Sequence, residues 1–145
     1  MMLEPLLRLR YSSAVPRAPQ PSLDAYAERR ARIVRRLFDE DAALLLYGGE
    51  LRTRANDTEF PFRPDSDFHY LTGLEEPGAV ALLRPGSSAD VAELTLFVRP
   101  RDPEAETWSG RRIGIEGACA SFGAAQAFVL GDLDDKLPEL LDGRR

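Results

Sequence analysis

Residues 79–98 read Ala-Val-Ala-Leu-Leu-Arg-Pro-Gly-Ser-Ser-Ala-Asp-Val-Ala-Glu-Leu-Thr-Leu-Phe-Val. Two short apolar runs, Ala79 to Leu83 and Leu94 to Val98, flank a polar connection carrying Pro85-Gly86 and two serines. The second run is stopped by Pro100. Apolar runs of this length, bounded by turn residues, are strands, and the connection from Arg84 to Glu93 predicts an antiparallel hairpin. Ala42 to Tyr47 is another short apolar run, ending at Gly48-Gly49, and suits a buried strand. Phe68 to Leu71, stopped by Gly73, reads as a strand as well. Upstream, Ser22 is placed to cap a helix with Asp24 in its first turn. Leu23, Tyr26, Ala27, Ile33, Val34, Leu37 and Phe38 recur at three- and four-residue spacing, while Arg29, Arg32, Arg35 and Arg36 form a solvated opposite face. Downstream, Gly117 to Phe122 suits a short helix, and Asp132 to Leu141 a helix interrupted or restarted at Pro138. Strands mixed with helices make the fold α/β: a mixed β-sheet flanked by helices.

The 145 residues suffice for one domain with a real core. A net charge of −5 argues against nucleic acid, which rewards a basic face. Lys136 is the sole lysine, and this arginine bias reflects genome base composition more than function. Cys119 is the only cysteine and His69 the only histidine, so neither an intrachain disulfide nor a histidine-rich metal site can be built. A reducing, cytoplasmic location fits. No apolar run approaches the roughly 20 residues of a membrane span. Residues 1–21 are proline-spaced and read as an extended arm, with residues 22–145 as the domain. Arg8, Arg10 and Arg17 give the arm only a faint likeness to a mitochondrial presequence. The chain stops just after a helix, at Asp142-Gly143-Arg144-Arg145, where an α/β domain would next place a strand. It is therefore expected to be a piece of a longer, C-terminally extended protein.

Two polar loops carry the candidate chemistry. The first, Thr53 to Phe68, interleaves carboxylates, arginines and aromatics. It reads as a loop held by arginine–carboxylate pairs and packed by Phe60 and Phe62, or as a cleft lined by Asp57, Glu59 and Arg63. Asp57 and Glu59 as a glycosidase-like acid pair is a weak reading in a chain with 30% charged residues. The second, Glu104 to Arg112, holds the only tryptophan, Trp108. It either anchors a ligand or partner or caps a local cluster. No phosphate-binding loop, zincin motif or dinucleotide fingerprint occurs, and no catalytic triad can be completed. Glu75-Glu76 reads as a solvated turn, His69 as a packed or hydrogen-bonded histidine, and Cys119 as a small buried or half-buried side chain.

The run Asn56-Asp57-Thr58-Glu59-Phe60-Pro61-Phe62-Arg63-Pro64-Asp65-Ser66-Asp67-Phe68-His69-Tyr70-Leu71-Thr72-Gly73, continued by Glu76-Pro77 and the strand from Ala79, resembles the N-terminal domain of aminopeptidase P. So does Glu106-Thr107-Trp108-Ser109-Gly110-Arg111-Arg112. The likeness covers roughly residues 23–142 and implies the fold shared with creatinase and prolidase N-terminal domains. It further implies a C-terminal pita-bread domain, absent from this chain. There two divalent metal ions, expected to be Mn2+, would support release of the first residue from peptides with proline at position two. No catalytic residue and no metal ligand fall in these 145 residues, so the chain alone is expected to be inactive. Its role would be substrate access, specificity and subunit association, with Trp108, Asp57, Arg63 and Arg111 as a substrate-access wall. The expected partners are its own C-terminal catalytic domain, sister subunits of a homo-oligomer and the peptide substrate, with no nucleic acid and no membrane. A stand-alone binding or scaffolding module of the same fold is the alternative.

Overall fold

The computed structural model describes residues 19–142. The N-terminal arm through residue 18 and the closing turn at 143–145 lie outside the described residues. Helix α1 spans Leu23–Asp39, and the Ser22 side chain accepts from the Ala25 N–H, as its sequence predicts. Strand β1, Leu44–Tyr47, follows. The predicted hairpin forms between β4, Val80–Pro85, and β5, Ala92–Val98, antiparallel from Val80↔Phe97 to Pro85↔Ala92. β1 lies antiparallel to the outer side of β4. On the other side, β6, Gln126–Val129, runs parallel to β5. The resulting sheet, β1-β4-β5-β6, is mixed and carries helices on both faces.

Alternation along the central strands divides the core. Ala79, Ala81, Leu94, Leu96 and Val98 face Phe68 of α2 (Ser66–Thr72) and Ala118 of α4 (Gly114–Phe122). Val80, Leu82 and Phe97 face the other way, onto Leu133, Leu137 and Leu140 of α5 (Leu133–Leu141). Both faces of β4 and β5 are thus covered, which accounts for their near-continuous apolar sequence. Each fully buried leucine or phenylalanine contributes about 1.5–3 kcal/mol of transfer free energy.

Several expectations need correction. Phe68 to Leu71 lies in α2, not in a strand. The Asp65 carboxylate accepts from the Asp67 and Phe68 N–H groups, and Gly73 ends the helix in the left-handed region at φ 72°. Phe68, Leu71 and Thr72 are its buried positions, a helical spacing. A Cβ on Gly73 would lie 2.6 Å from Cζ of Tyr26, so close approach as well as φ requires glycine there. Within the stretch 50–67, β2 (Thr53–Ala55) and β3 (Thr58–Glu59) form a small separate hairpin. The second polar loop, Glu104 to Arg112, is largely helical, since most of it lies in α3, Pro103–Ser109. α5 runs through Pro138 undivided, the ring costing one N–H of the ladder. On α1 the buried row is Tyr26, Arg30 and Val34, while Leu23 and Phe38 are exposed. Among the described residues no helix is long and apolar enough to cross a membrane.

Candidate functional site

β1 and β5 are both antiparallel to β4, and β6 is parallel to β5. The carboxyl ends of β1, β5 and β6 therefore lie at one end of the sheet. The two loops singled out from the sequence follow β1 and β5, so both leave from that end. In open α/β sheets this is where ligands are bound.

The first loop is tied to the sheet by its backbone. Gly48 N–H donates to Ala79 O at 2.8 Å, Gly78 N–H to Gly49 O at 2.8 Å, and Asp65 N–H to Gly48 O at 3.0 Å. A Cβ on Gly48 would sit 3.0 Å from Ala79 O and 3.1 Å from the Phe68 ring, so the loop leaves through a tight gap in which any side chain would push its neighbours aside. Phe60 N–H closes the β2–β3 hairpin onto Arg52 O. Asp57 stands exposed in its turn, after Asn56 at φ 46°. Among the described residues, Asp57, Glu59, Arg54 and Arg63 form no ion pair; this loop is held by backbone bonds. Beneath the hairpin a cavity of about 760 Å³ is lined by Tyr47, Glu50, Leu51, Phe60, Arg63 and neighbouring residues. The Tyr47 phenol is pushed up to about 12 by its hydrogen bond to Glu50, so it stays a neutral donor.

The second loop carries α3. Asp102 caps it, accepting from the Glu104 and Ala105 N–H groups, and Pro103 fixes its first turn. Trp108 near its end is 92% exposed. That excludes the local-cluster role and leaves a side chain with a large apolar face in solvent. The helix beneath is braced: Glu106 accepts from Arg101 Nε at 2.6 Å and from the Asp102 N–H at 3.0 Å. The Arg101 hydrogen bond holds the Glu106 carboxyl below its ordinary value of 4.5. A group depressed in the folded state stabilises fully above its unfolded value and loses that contribution as pH falls through the folded one. We therefore expect the α3 segment to loosen below about pH 4.5. Trp108 fluorescence should report this, with Glu106→Gln abolishing that part of the acid profile. An unchanged profile in the variant would refute the assignment.

The model of the aminopeptidase P N-terminal domain family matches residues 26–145. The chain belongs to that family. It is 36% identical over 135 residues to the Xaa-Pro aminopeptidase of Haemophilus influenzae, covering 93% of this chain but 29% of the relative. With the Xaa-Pro aminopeptidase of Escherichia coli it shares 36% identity over 122 residues, 84% of this chain and 27% of the relative. The solved aminopeptidase PepP of Pseudomonas aeruginosa superposes with a TM-score of 0.76 at 42% identity, over 86% of this chain and 28% of that one. A substrate complex of an E. coli aminopeptidase P variant gives 0.79 at 34% identity, with 87% and 28% covered. The chain thus spans about 28% of the length of these relatives.

Within this aminopeptidase P N-terminal domain the four residues expected to form a wall do not share one pocket. Arg63 borders the cavity under the first hairpin and the adjoining groove with Tyr26, Arg29 and His69. Arg111 lines two other depressions, with Ile113 and Gly117. Asp57 and Trp108 line none of these and stand in solvent. What unites the four is the end of the sheet from which their loops arise.

Glu76, read from the sequence as part of a solvated turn, is buried at 6% exposure. It accepts from the Ile113 N–H at 2.8 Å and the Arg99 N–H at 3.3 Å. The available signal was its position between two apolar segments, Leu71–Leu74 and Ala79–Leu83. Its neighbour Glu75 pairs with His69, Oε1 to Nε2 at 3.3 Å. Cys119 is half-buried. Among the described residues no three His, Cys, Asp or Glu side chains converge to hold a metal. The described residues do not fit a two-metal centre, which needs several convergent ligands around ions about 3.5–4 Å apart.

Proposed function

We propose that this chain is the non-catalytic N-terminal part of a metal-dependent Xaa-Pro aminopeptidase. In this reading the loops following β1 and β5 wall the entrance to an active site built by the remaining sequence. The carrying observation is Trp108: an aromatic side chain 92% exposed, on a helix braced at its start, within a segment resembling the family. An isolated domain gains nothing from wetting a tryptophan. A partly polar contact between domains of one chain, or between subunits, uses one as a rigid anchor. Arg63 and Arg111 add positive charge on the loops leaving the same end of the sheet, and Asp57 adds a carboxylate at the hairpin tip. Peptides with proline at position two are the proposed substrate, and homo-oligomerisation and cytoplasmic residence belong to the same proposal. The metals, proposed as manganese, are held by the remaining sequence. One solved relative is a zinc-substituted E. coli aminopeptidase P in complex with product.

The test uses the 145-residue chain, the separately expressed remainder and the full-length product. The chain alone should release no amino acid from Xaa-Pro peptides and show no stoichiometric manganese binding in calorimetry. It should associate with the remainder in light scattering, and the full-length product should be active. Absence of association at high micromolar concentration, or micromolar manganese binding by the chain alone, would overturn the reading.

A further inference from the structure

The segment between β5 and α4 leaves the sheet after Val98 and returns at Ile113. Its two ends meet on one carboxylate. Glu76 Oε1 accepts from the Arg99 N–H at 3.3 Å, and Oε2 accepts from the Ile113 N–H at 2.8 Å. The Arg99 Nε stands 3.5 Å from Oε1, adding an ion pair. A second closure lies beside it, Arg112 Nη1 donating to Pro100 O at 3.0 Å. Inside the excursion, Glu106 ties Arg101 and the Asp102 N–H to α3. Glu76 itself comes from the connection between α2 and β4, 23 and 37 residues away from its two backbone donors. Its side chain is 7% exposed. A carboxylate buried to this extent is stable only where its acceptor capacity is used. Here that capacity is spent at both feet of the excursion bearing Trp108.

We propose that Glu76 is the positioning residue for Trp108: by clamping both ends of the 99–113 excursion it fixes where the exposed indole stands. The proposal rests on reading Trp108 as a contact residue. A tryptophan offered to substrate or to a second domain from a loose loop would lose conformational entropy on contact. Holding the feet of the loop makes that loss in advance, during folding. An amide in place of the carboxylate keeps the shape but offers one acceptor and one donor group. One of the two N–H groups then faces a donor, and one foot is released.

The 145-residue chain tests this directly, because Trp108 is its only tryptophan. Glu76→Ala leaves Arg99 unpaired and risks the fold, so the isosteric Glu76→Gln is the decisive variant, with Leu82→Ala on the opposite face as the stability control. In Glu76→Gln the Trp108 amide order parameter should fall from about 0.85 toward 0.6. Hydrogen exchange at Glu106–Gly110 should accelerate about tenfold. Leu82→Ala should lower the thermal midpoint and leave both readouts unchanged. A lowered midpoint in Glu76→Gln with Trp108 as ordered as before, or loss of the fold in that variant, would overturn the proposal and make Glu76 a core residue. In the full-length enzyme, Glu76→Gln should reduce kcat/KM in the presence of Trp108 and have no further effect in a Trp108→Ala background. Should the wall reading alone fail, kinetics would stay normal in Trp108→Ala while Glu76→Gln still loosened the loop.

Discussion

On the proposed function, Trp108→Ala in the full-length product is expected to lower kcat/KM on Xaa-Pro peptides by about 10²-fold, the scale on which lost positioning of a substrate acts. Metal content should be unchanged, since among the described residues no cluster of His, Cys, Asp or Glu converges near Trp108 or elsewhere to hold a metal. Unfolding free energy should move by no more than about 0.5 kcal/mol, as for other surface substitutions free of special features. The separation of these effects follows from the indole's exposure. A tryptophan in a core gives up about 3–5 kcal/mol on truncation, but one that is 92% exposed has almost no folded-state contacts to lose. Its value is realised only when something covers it. Kinetics and thermal midpoint measured on the same variant settle the matter. Normal kinetics with a collapsed midpoint would make Trp108 a packing residue. Normal kinetics with a normal midpoint would favour the binding-module alternative, with Trp108 facing a partner other than substrate.

How much of this was legible before the fold was known depended on how local each interaction is. The β4–β5 hairpin could be read because its turn residues and both strands fall within 20 consecutive positions. α1 could be read from its cap and period. α2 was misread because Phe68, His69, Tyr70, Leu71 and Thr72 have strand-like composition over a single short run. The helix was instead signalled by its ends, Asp65 and Gly73. α3 had the same kind of signal in Asp102-Pro103 followed by Glu104 and Glu106. β6 offered almost none: it is four residues long, and its pairing with β5 is parallel and non-local. The wall candidates were legible as a resemblance, and the topology supplied what the sequence could not, that their two loops leave the same end of the sheet. Glu76 left only the faint signal of a carboxylate between two apolar segments, because its hydrogen-bond donors are backbone N–H groups, which leave no mark on residue type.

Arg30 is the sharpest case of a residue whose role is invisible in composition, and it carries the second large expectation. Five arginines, at positions 29, 30, 32, 35 and 36, lie on α1, and they look interchangeable. Arg35 and Arg36 are exposed and paired with Asp90 and Glu40. Arg29 spreads its guanidinium 4.3 Å from the Tyr70 ring and 5.1 Å from the Tyr26 ring. Arg30 alone sits in the buried row with Tyr26 and Val34, at 6% exposure. Its Nη1 donates to Leu71 O at 2.9 Å, near the end of α2, and its Nη2 would stand 3.3 Å from a Cβ on Gly123, the cap of α4. The cation thus lies where two helices end and their dipoles turn negative, a placement that favours positive charge. Burial lowers the guanidinium pKa from its ordinary value, yet arginine stays charged, and the carbonyl it meets offsets part of the desolvation. Arg30→Ala removes the donor, leaves Leu71 O without it and opens a void between α1, α2 and α4. The expected cost is about 3 kcal/mol, from the unsatisfied carbonyl and the lost packing together. For a domain of this size that lowers the thermal midpoint by roughly 10 °C. Arg32→Ala, on the exposed side of the same helix, should cost less than about 0.5 kcal/mol. Arg30→Met, which keeps the length and apolar stem, should recover part of the loss if packing dominates and little if the carbonyl bond does. Chemical denaturation of the three variants separates these terms, and equal stabilities for Arg30→Ala and Arg32→Ala would show that the buried guanidinium contributes nothing.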